Sequence, residues 1–395
     1  MFFSEIIGQK VIKEKLLLSV QQNRVSHSQL FLGPEGNGSL ALALAYAQYI
    51  NCENKQVNAR TNSETDSCGM CLSCIKSQKM IHPDIHFSFP AFKLKSGSDH
   101  PALSSDFIKQ WREALLSNPY LNLSDWLDFI DAENKQGNIS AEECRVIIHD
   151  LSMKTYESKY KVMIIWRPEF FSQGGKIGNV LLKLLEEPPE NTLILLVAEN
   201  RDELLSTILS RCQIVSIPRL TDDDVMDSLI NKHDLSREAA KKIVRQSEGN
   251  YRDVLRLINS TEDNEFEFLK KWMHVFITTN PATASAEITK WVDEAARLGR
   301  EKQKSFFRFS LEFFRECVML QQAGDQHSIL LDEEKRMAAW LSKQLDMEDW
   351  HRIQEWFEQA HYYIERNAHS KVLFMNLSLN LQKIITNKKL VLPAQ

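Results

Sequence analysis

Gly33-Pro34-Glu35-Gly36-Asn37-Gly38-Ser39-Leu40 carries the glycine spacing of a loop that wraps a phosphate. Glycines at these places let the backbone curl so that its N–H groups face an anion. A helix starting behind the loop adds partial positive charge. A working loop of this kind reads G-x-x-x-x-G-K-S/T. Here Ser39 stands where the lysine belongs and Leu40 where the magnesium-holding hydroxyl belongs. Serine supplies no cation to the β- and γ-phosphates, and leucine ligates no metal. Such a site also needs an acidic pair at the end of a buried strand, to hold the metal and polarise water. The strand Val162-Met163-Ile164-Ile165 runs instead into Trp166-Arg167-Pro168, with Glu169 two residues further on. The glycine frame is kept and the chemical groups are missing. No functional ATP or magnesium site is expected. Taken alone, Gly33–Gly38 reads equally well as a plain glycine turn between a strand and a helix.

Cys52, Cys68, Cys71 and Cys74 form the pattern C-x15-C-x2-C-x2-C. Each C-x2-C turn brings two sulfurs to one side. Four thiolates close a tetrahedral structural zinc site with no position left for water. One zinc ion per chain is expected, tying down a polar stretch (53–67) that cannot anchor itself by burial. An iron–sulfur cluster and a redox-active pair are the alternatives. A redox pair would not need two further cysteines. Cys144, Cys212 and Cys317 are isolated and read as ordinary buried thiols.

Two arginines complete the set. Arg211, in Ser210-Arg211-Cys212, lies between a short helix (Leu204–Leu209) and the last strand. In an oligomeric nucleotide machine that corner reaches a neighbour's γ-phosphate, and a guanidinium fork suits it. The plain reading is a surface charge. Arg252 opens a helix and reads as facing the nucleotide groove or as a solvated helix-start residue.

The elements that position these groups are legible. Ile12, Leu16 and Val20 mark a helix over 11–22. Gln29–Leu32 is a short buried strand, and the alanine- and leucine-rich 40–49 a helix. Ser140 followed by Glu143 predicts a capping box opening a helix through Leu151. Lys161–Trp166 and Thr192–Ala198 are continuous apolar runs, as in a sheet buried on both faces. A helix at Val180–Leu185, stopped by Pro188-Pro189, lies between them. Gln213–Ile217 is the last strand. Residues 53–67 read as a solvated loop and 93–138 as an irregular excursion broken at Lys95–Ser98, with no function assigned. After Pro218 the sequence is helical: 221–231, 236–248 and 252–258, a polar linker at Thr261–Asn264, then long aromatic-rich helices including 305–319 and 349–364.

The chain has 395 residues, 43% hydrophobic and 26% charged, with a formal net charge of −5. That size predicts two or three domains. The charge argues against a surface that is all nucleic-acid footprint and leaves room for a local basic patch. Met1–Glu5 lacks the basic start and apolar core of a secretory leader, and no apolar run approaches ~18 residues. With seven cysteines, four of them clustered, the expectation is a cytoplasmic protein with reduced thiols.

Together these segments resemble a family. Gly8-Gln9, Ser26 through Gly36, the four cysteines and His82-Pro83-Asp84 look like the opening of bacterial DNA polymerase III clamp-loader subunits, of the AAA+ class. Asn179 through Pro189 (NVLLKLLEEPP) is similar to their central signature, and Ser210-Arg211-Cys212 to their arginine-finger motif. The likeness covers about the first 260 residues. Beyond that there is helical character, and Arg366-Asn367 to Leu381 resembles a last collar helix. Members with a motor role keep the lysine and the acidic pair. The departures here point to the delta-prime type.

The resemblance implies an AAA+ α/β domain with a parallel sheet flanked by helices (1–217, with the zinc module near 52–74 and the 93–138 insertion). A small helical lid (218–262) and an all-α collar (263–395) follow. It implies a non-catalytic stator in a hetero-pentamer with motor-type ATPase and delta subunits, acting on the sliding clamp and primed DNA during replication. Arg211 would serve a neighbour's site. A motor-type ATPase with unusual residues and a freestanding zinc-bound DNA-binding protein are the rival readings. The loop speaks against the first and the net charge against the second.

Overall fold

The computed structural model describes residues 1–57, 64–92, 102–132, 137–171, 176–259, 265–278, 281–323, 330, 332–366 and 368–388. The break at Lys95–Ser98 and the linker at Thr261–Asn264 lie outside them. The chain divides into two compact units, Met1–Asn259 and Ser260–Gln395.

In the first unit, helix α1 (Lys10–Gln21) leads to strand β1 (Ser28–Leu32) and helix α2 (Ser39–Ile50). Strands β2 (Gln56–Val57) and β3 (Glu64–Asp66) form a small antiparallel pair. Helix α3 (Leu72–Gln78) and strand β4 (Ile85–Ser88) follow, then α4 (Ile108–Ser117), α5 (Leu123–Phe129) and α6 (Ala141–Ser152). Next come β5 (Lys161–Trp166), α7 (Lys176–Glu186), β6 (Thr192–Ala198), α8 (Ser206–Leu209) and β7 (Gln213–Ser216). Helices α9 (Asp222–His233), α10 (Arg237–Ser247) and α11 (Tyr251–Asn259) close the unit.

The five main strands form one parallel sheet in the order β4-β5-β6-β1-β7. Strand β1, between β6 and β7, pairs Leu30 with Leu196 and with Ile214. Both faces of the central strands are covered, which is why β5 and β6 read as apolar runs. Alternate residues serve opposite cores. Phe31, Ile164 and Leu195 pack with α1, α2 and the helices after Pro218. Leu30, Ile165 and Leu196 pack with α6, α7 and α8. The α/β layer and helices α9–α11 share the first of these cores, through Val225, Val244 and Val254.

Three sequence expectations are corrected. The 53–67 stretch contains the β2–β3 pair. Strand β4 gave no apolar run: Ile85-His86-Phe87-Ser88 sits at the sheet edge and is only partly buried. Within the 93–138 excursion, the described residues 102–132 are largely helical. Phe107, Trp111 and Leu115 recur every fourth residue and are buried, the spacing of one helix face. Trp111 stacks on Phe89 at 4.3 Å and meets Trp126 and Trp166 at 5.1 and 5.0 Å. At Ser140 only half of the capping box forms. Ser140 Oγ accepts from the Glu143 N–H (3.2 Å), but Glu143 Oε2 takes the N–H of Ser104 (2.9 Å), holding the excursion to α6.

The second unit contains helices α12 (Glu265–Thr278), α13 (Pro281–Arg297), α14 (Arg300–Ala323), α15 (Asp332–Gln344), α16 (Met347–Glu365) and α17 (Ser370–Lys388). Its core is aromatic. The rings of Trp272 and Trp291 stack at 4.3 Å, and Phe307 stacks on Phe374 at 5.0 Å. Trp272 Nε1 donates to Ser378 Oγ (2.9 Å). No described helix is long and apolar enough to cross a membrane.

Candidate functional site

The glycine loop runs from the end of β1 to the first turn of α2, where the sequence places it. Gly38 sits at φ +88° immediately before the helix. The anion cradle is bonded to itself. Asn37 Oδ1 accepts from both the N–H and the Oγ of Ser39 (2.9 and 2.6 Å), and Asn37 Nδ2 donates to the Ile217 carbonyl (2.8 Å). Gln9 Nε2 donates to the carbonyls of Asn37 (3.1 Å) and Pro218 (2.7 Å). Ser39 and Leu40 are buried.

The loop is also covered from outside. Asn250 leans on Gly36 so closely that a Cβ there would lie 1.7 Å from its Oδ1. The Tyr251 N–H donates to the Gly36 carbonyl (3.0 Å). On the other side the Tyr120 ring lies against Gly38, with Cε1 3.1 Å from where a Cβ would be. The space left among the loop, Pro119–Leu121, Trp166 and Glu199 is about 30 Å³, room for a water molecule or two. Small-molecule pockets hold roughly 300–1,000 Å³.

At the end of β5, Arg167 adopts φ +59° and forms a close ion pair with Glu199, at the end of β6. Glu169 is buried 3.8 Å from Arg167. Its Oε1 accepts from the N–H groups of Glu199 (2.6 Å) and Asn200 (3.1 Å), so it caps backbone.

Arg252 is 7% exposed, which excludes the solvated reading. Its Nε and Nη2 donate to the two oxygens of Asp125 (2.8 and 2.6 Å), and Nη1 lies 3.6 Å from Glu35 Oε1. This bidentate contact joins α11 to α5. Sequence reasoning missed Asp125 and Tyr120. The signal for Asp125 was local: Asn122 and Asp125 form a capping box opening α5.

Arg211 lies beside α8 with its side chain 28% exposed. It donates to Glu186 Oε1 (2.6 Å) and to the Thr207 carbonyl (2.9 Å). Glu186 belongs to the NVLLKLLEEPP segment.

The four clustered cysteines come together, with every Sγ within 4.8 Å of the others. Sγ of Cys68 and Sγ of Cys74 are 3.9 Å apart. The N–H of Cys68 donates to Cys52 Sγ (3.2 Å), those of Met70 and Cys71 to Cys68 Sγ (3.4 and 3.3 Å), and that of Cys74 to Cys71 Sγ (3.4 Å). Such donors stabilise thiolates. Burial pushes Cys68 up, but the Cys71 and Met70 N–H groups outweigh it and hold the thiol at about 6. The donor set fits a metal ion. Cys144, Cys212 and Cys317 are buried free thiols, as expected, and burial pushes Cys144 and Cys212 up to about 12.

His82-Pro83-Asp84 is a structural lock. The Asp84 carboxylate accepts from the N–H groups of Tyr156 (2.5 Å), Glu157 (2.9 Å) and Ser158 (2.9 Å). The Asp84 N–H donates to His82 Nδ1 (3.1 Å), and His82 Nε2 bonds Ser73 Oγ of α3 (3.1 Å). Burial would push Asp84 up; the three N–H donors hold it below the usual carboxylate range. An acid depressed in the folded state stabilises above its unfolded pKa and loses that contribution as pH falls through the folded value. Asp84→Asn is therefore expected to cost about 2–4 kcal/mol at pH 7, since hydrogen bonds to a charged group contribute ~1.5–3 kcal/mol each and one acceptor remains. The gap to wild type should narrow below about pH 4. Denaturant titrations at pH 7 and in acid check this. A gap under ~0.5 kcal/mol at pH 7, the size of an ordinary surface change, would count against it.

A family model described as DNA polymerase III, delta subunit, matches residues 8–221. The tau subunit of DNA polymerase III from Bacillus subtilis is 26% identical over 273 residues, covering 68% of this chain and 39% of that protein. The delta' subunit from the same organism is 24% identical over 255 residues, covering 65% of this chain and 60% of that one. The chain thus spans less than two thirds of either relative. Among solved structures, the Bacillus subtilis DNA clamp loader delta protein aligns over 94% of this chain and 99% of its own, at 12% identity and a TM-score of 0.32.

Proposed function

Because the chain belongs to the DNA polymerase III delta-subunit family, whose model matches more than half its length, we propose that it is a delta-prime-type, non-catalytic subunit of a bacterial clamp loader. It acts as a stator in a ring with motor-type ATPase and delta subunits, helping to place the sliding clamp on primed DNA in the cytoplasm. Residues 1–217 serve as the AAA+ α/β domain, 218–262 as the lid and 263–395 as the collar.

One observation carries the non-catalytic reading. At each place where phosphoryl transfer needs a group, this chain has a residue that cannot supply it. Ser39 and Leu40 replace the cation and the metal-holding hydroxyl, and Arg167 stands where the acid should be. Stabilisation by positioned charge accounts for almost all catalysis of this reaction. The Asn37–Ser39 bonds and the small free volume support the same reading. The purified chain is expected to show no ATP turnover. Turnover that follows the chain through successive purification steps would overturn the proposal in favour of the motor reading.

The cysteine cluster is proposed to hold one structural zinc ion through Cys52, Cys68, Cys71 and Cys74. Four thiolates leave no open position, so the ion fastens the 52–74 segment and takes no part in chemistry.

A further inference from the structure

We infer that the helical excursion, through Tyr120 and Asp125, is a built-in occupant of the nucleotide cleft that fixes the lid to the sheet. This rests on reading Gly33–Leu40 as a former nucleotide loop.

In a nucleotide-binding module the ligand bridges the phosphate loop and the helices that follow the sheet. Here a protein segment makes that bridge. Tyr120 touches Gly38 on the loop and packs on Tyr251 of α11 with ring centroids 4.8 Å apart. Its OH accepts from the Ile7 N–H (3.0 Å). Five residues on, the Asp125 carboxylate offers Arg252 two oxygens, as a phosphate would. Asn122 Nδ2 donates to Glu35 Oε2 on the loop (3.1 Å). The segment thus holds the loop, α11 and the N-terminal stretch at once.

Charge closes the cleft further. Glu35 and Glu199 line it, Asp125 lies behind Glu35 on Arg252, and the two nearby guanidiniums, Arg167 and Arg252, are both already paired. A polyphosphate would meet excess negative charge at short range. The segment is itself firmly seated. Trp126 is fully buried, its Nε1 donates to the Pro90 carbonyl (3.1 Å), and Trp111 packs on Trp166 of the sheet. The lid's orientation is therefore set by the chain and does not follow nucleotide state.

Native-state hydrogen exchange on the full-length chain tests this. In wild type, α5 and α9–α11 are expected to open together, with the same free energy and the same denaturant dependence. A lid that opens while α5 stays protected would overturn the inference. Asp125→Asn should speed exchange in α5 and α9–α11 by roughly 10- to 100-fold, because it removes the bidentate carboxylate from a buried guanidinium and leaves it the looser 3.6 Å contacts to Glu35 and Asp253. Strands β5 and β6 and the 265–388 unit should be unchanged. Replacing both partners, Asp125→Asn with Arg252→Gln, should recover much of the protection. Acceleration confined to α5 would also overturn the inference. ATP turnover by the lone chain is a separate readout: it would remove the former-loop reading, whatever the exchange pattern.

Discussion

A clamp loader reconstituted with Arg211→Ala is expected to assemble normally and to load clamps far more slowly than wild type. In the chain by itself, Arg211 is held by Glu186 and by the Thr207 carbonyl. Two magnitudes decide whether that contact rules out a role at a neighbour's site. A half-exposed ion pair of this kind contributes up to ~1 kcal/mol. An arginine finger contributes roughly 10³–10⁵ in rate, or about 4–7 kcal/mol of barrier. Leaving Glu186 is small beside what the guanidinium would gain against a transferring phosphoryl group. Glu186 then acts as a resting place, and Glu186→Gln should leave loading near the wild-type rate. Arg211→Lys keeps the charge but loses the two-pronged contact, and it should rescue little. In the proposed ring, one site would depend on this chain. Total ATP turnover should fall by a fraction while coupled clamp loading falls much further. If both Arg211 variants load clamps at the wild-type rate, Arg211 only pairs with its own surface.

Removal of the metal should produce the second large effect, confined to one module. Elemental analysis is expected to give one zinc per chain, with each sulfur ~2.3 Å from the ion. Binding to structural zinc sites is worth about 10–16 kcal/mol in small peptides. Cys71→Ser or a strong chelator should therefore release the 52–74 segment. The anchors around it limit the spread. The Asp66 carboxylate accepts from the N–H groups of Phe3 and Ser4 (3.2 and 3.0 Å), and Gln48 Nε2 donates to Ser67 Oγ (2.7 Å). Loosening should reach the N-terminal turn and stop at the sheet, whose strands pair independently of this module. Without metal, the thiols of the released segment should become open to alkylation, since the thiolate is the nucleophile. Full protection of all four thiols in chelator-treated protein, or iron in place of zinc, would refute the assignment.

The sheet was legible because its physics is local. Val162–Trp166 and Leu193–Ala198 are apolar at every position, and only a strand covered on both faces needs that. Strand β4 was not legible, since four half-buried residues at an edge carry no such run. The clustering of the four sulfurs was legible because C-x2-C turns set their own geometry. Helix α4 and the turn before it could have been read from Phe107, Trp111 and Leu115, whose period the surrounding polar residues obscured. What fills the glycine loop was beyond reach. Asp125 and Arg252 lie 127 residues apart in sequence, as do other pairs that meet only once the sheet and the following helices have closed. Serine in the lysine's place was visible at once; the cover of the loop by Tyr120, Asn250 and the paired Arg252 was not.

The self-bonded loop leaves no place for the lysine that a working phosphate loop carries. Ser39 is buried with its N–H and hydroxyl committed to Asn37, which in turn holds the Ile217 carbonyl. Returning a lysine to position 39 would push an ammonium into space already bonded shut. It would find no hydroxyl at Leu40 and a guanidinium at Arg167. Ser39 and Leu40 are both buried, so a lysine placed at 39 alone is expected to lower stability and to bring no turnover.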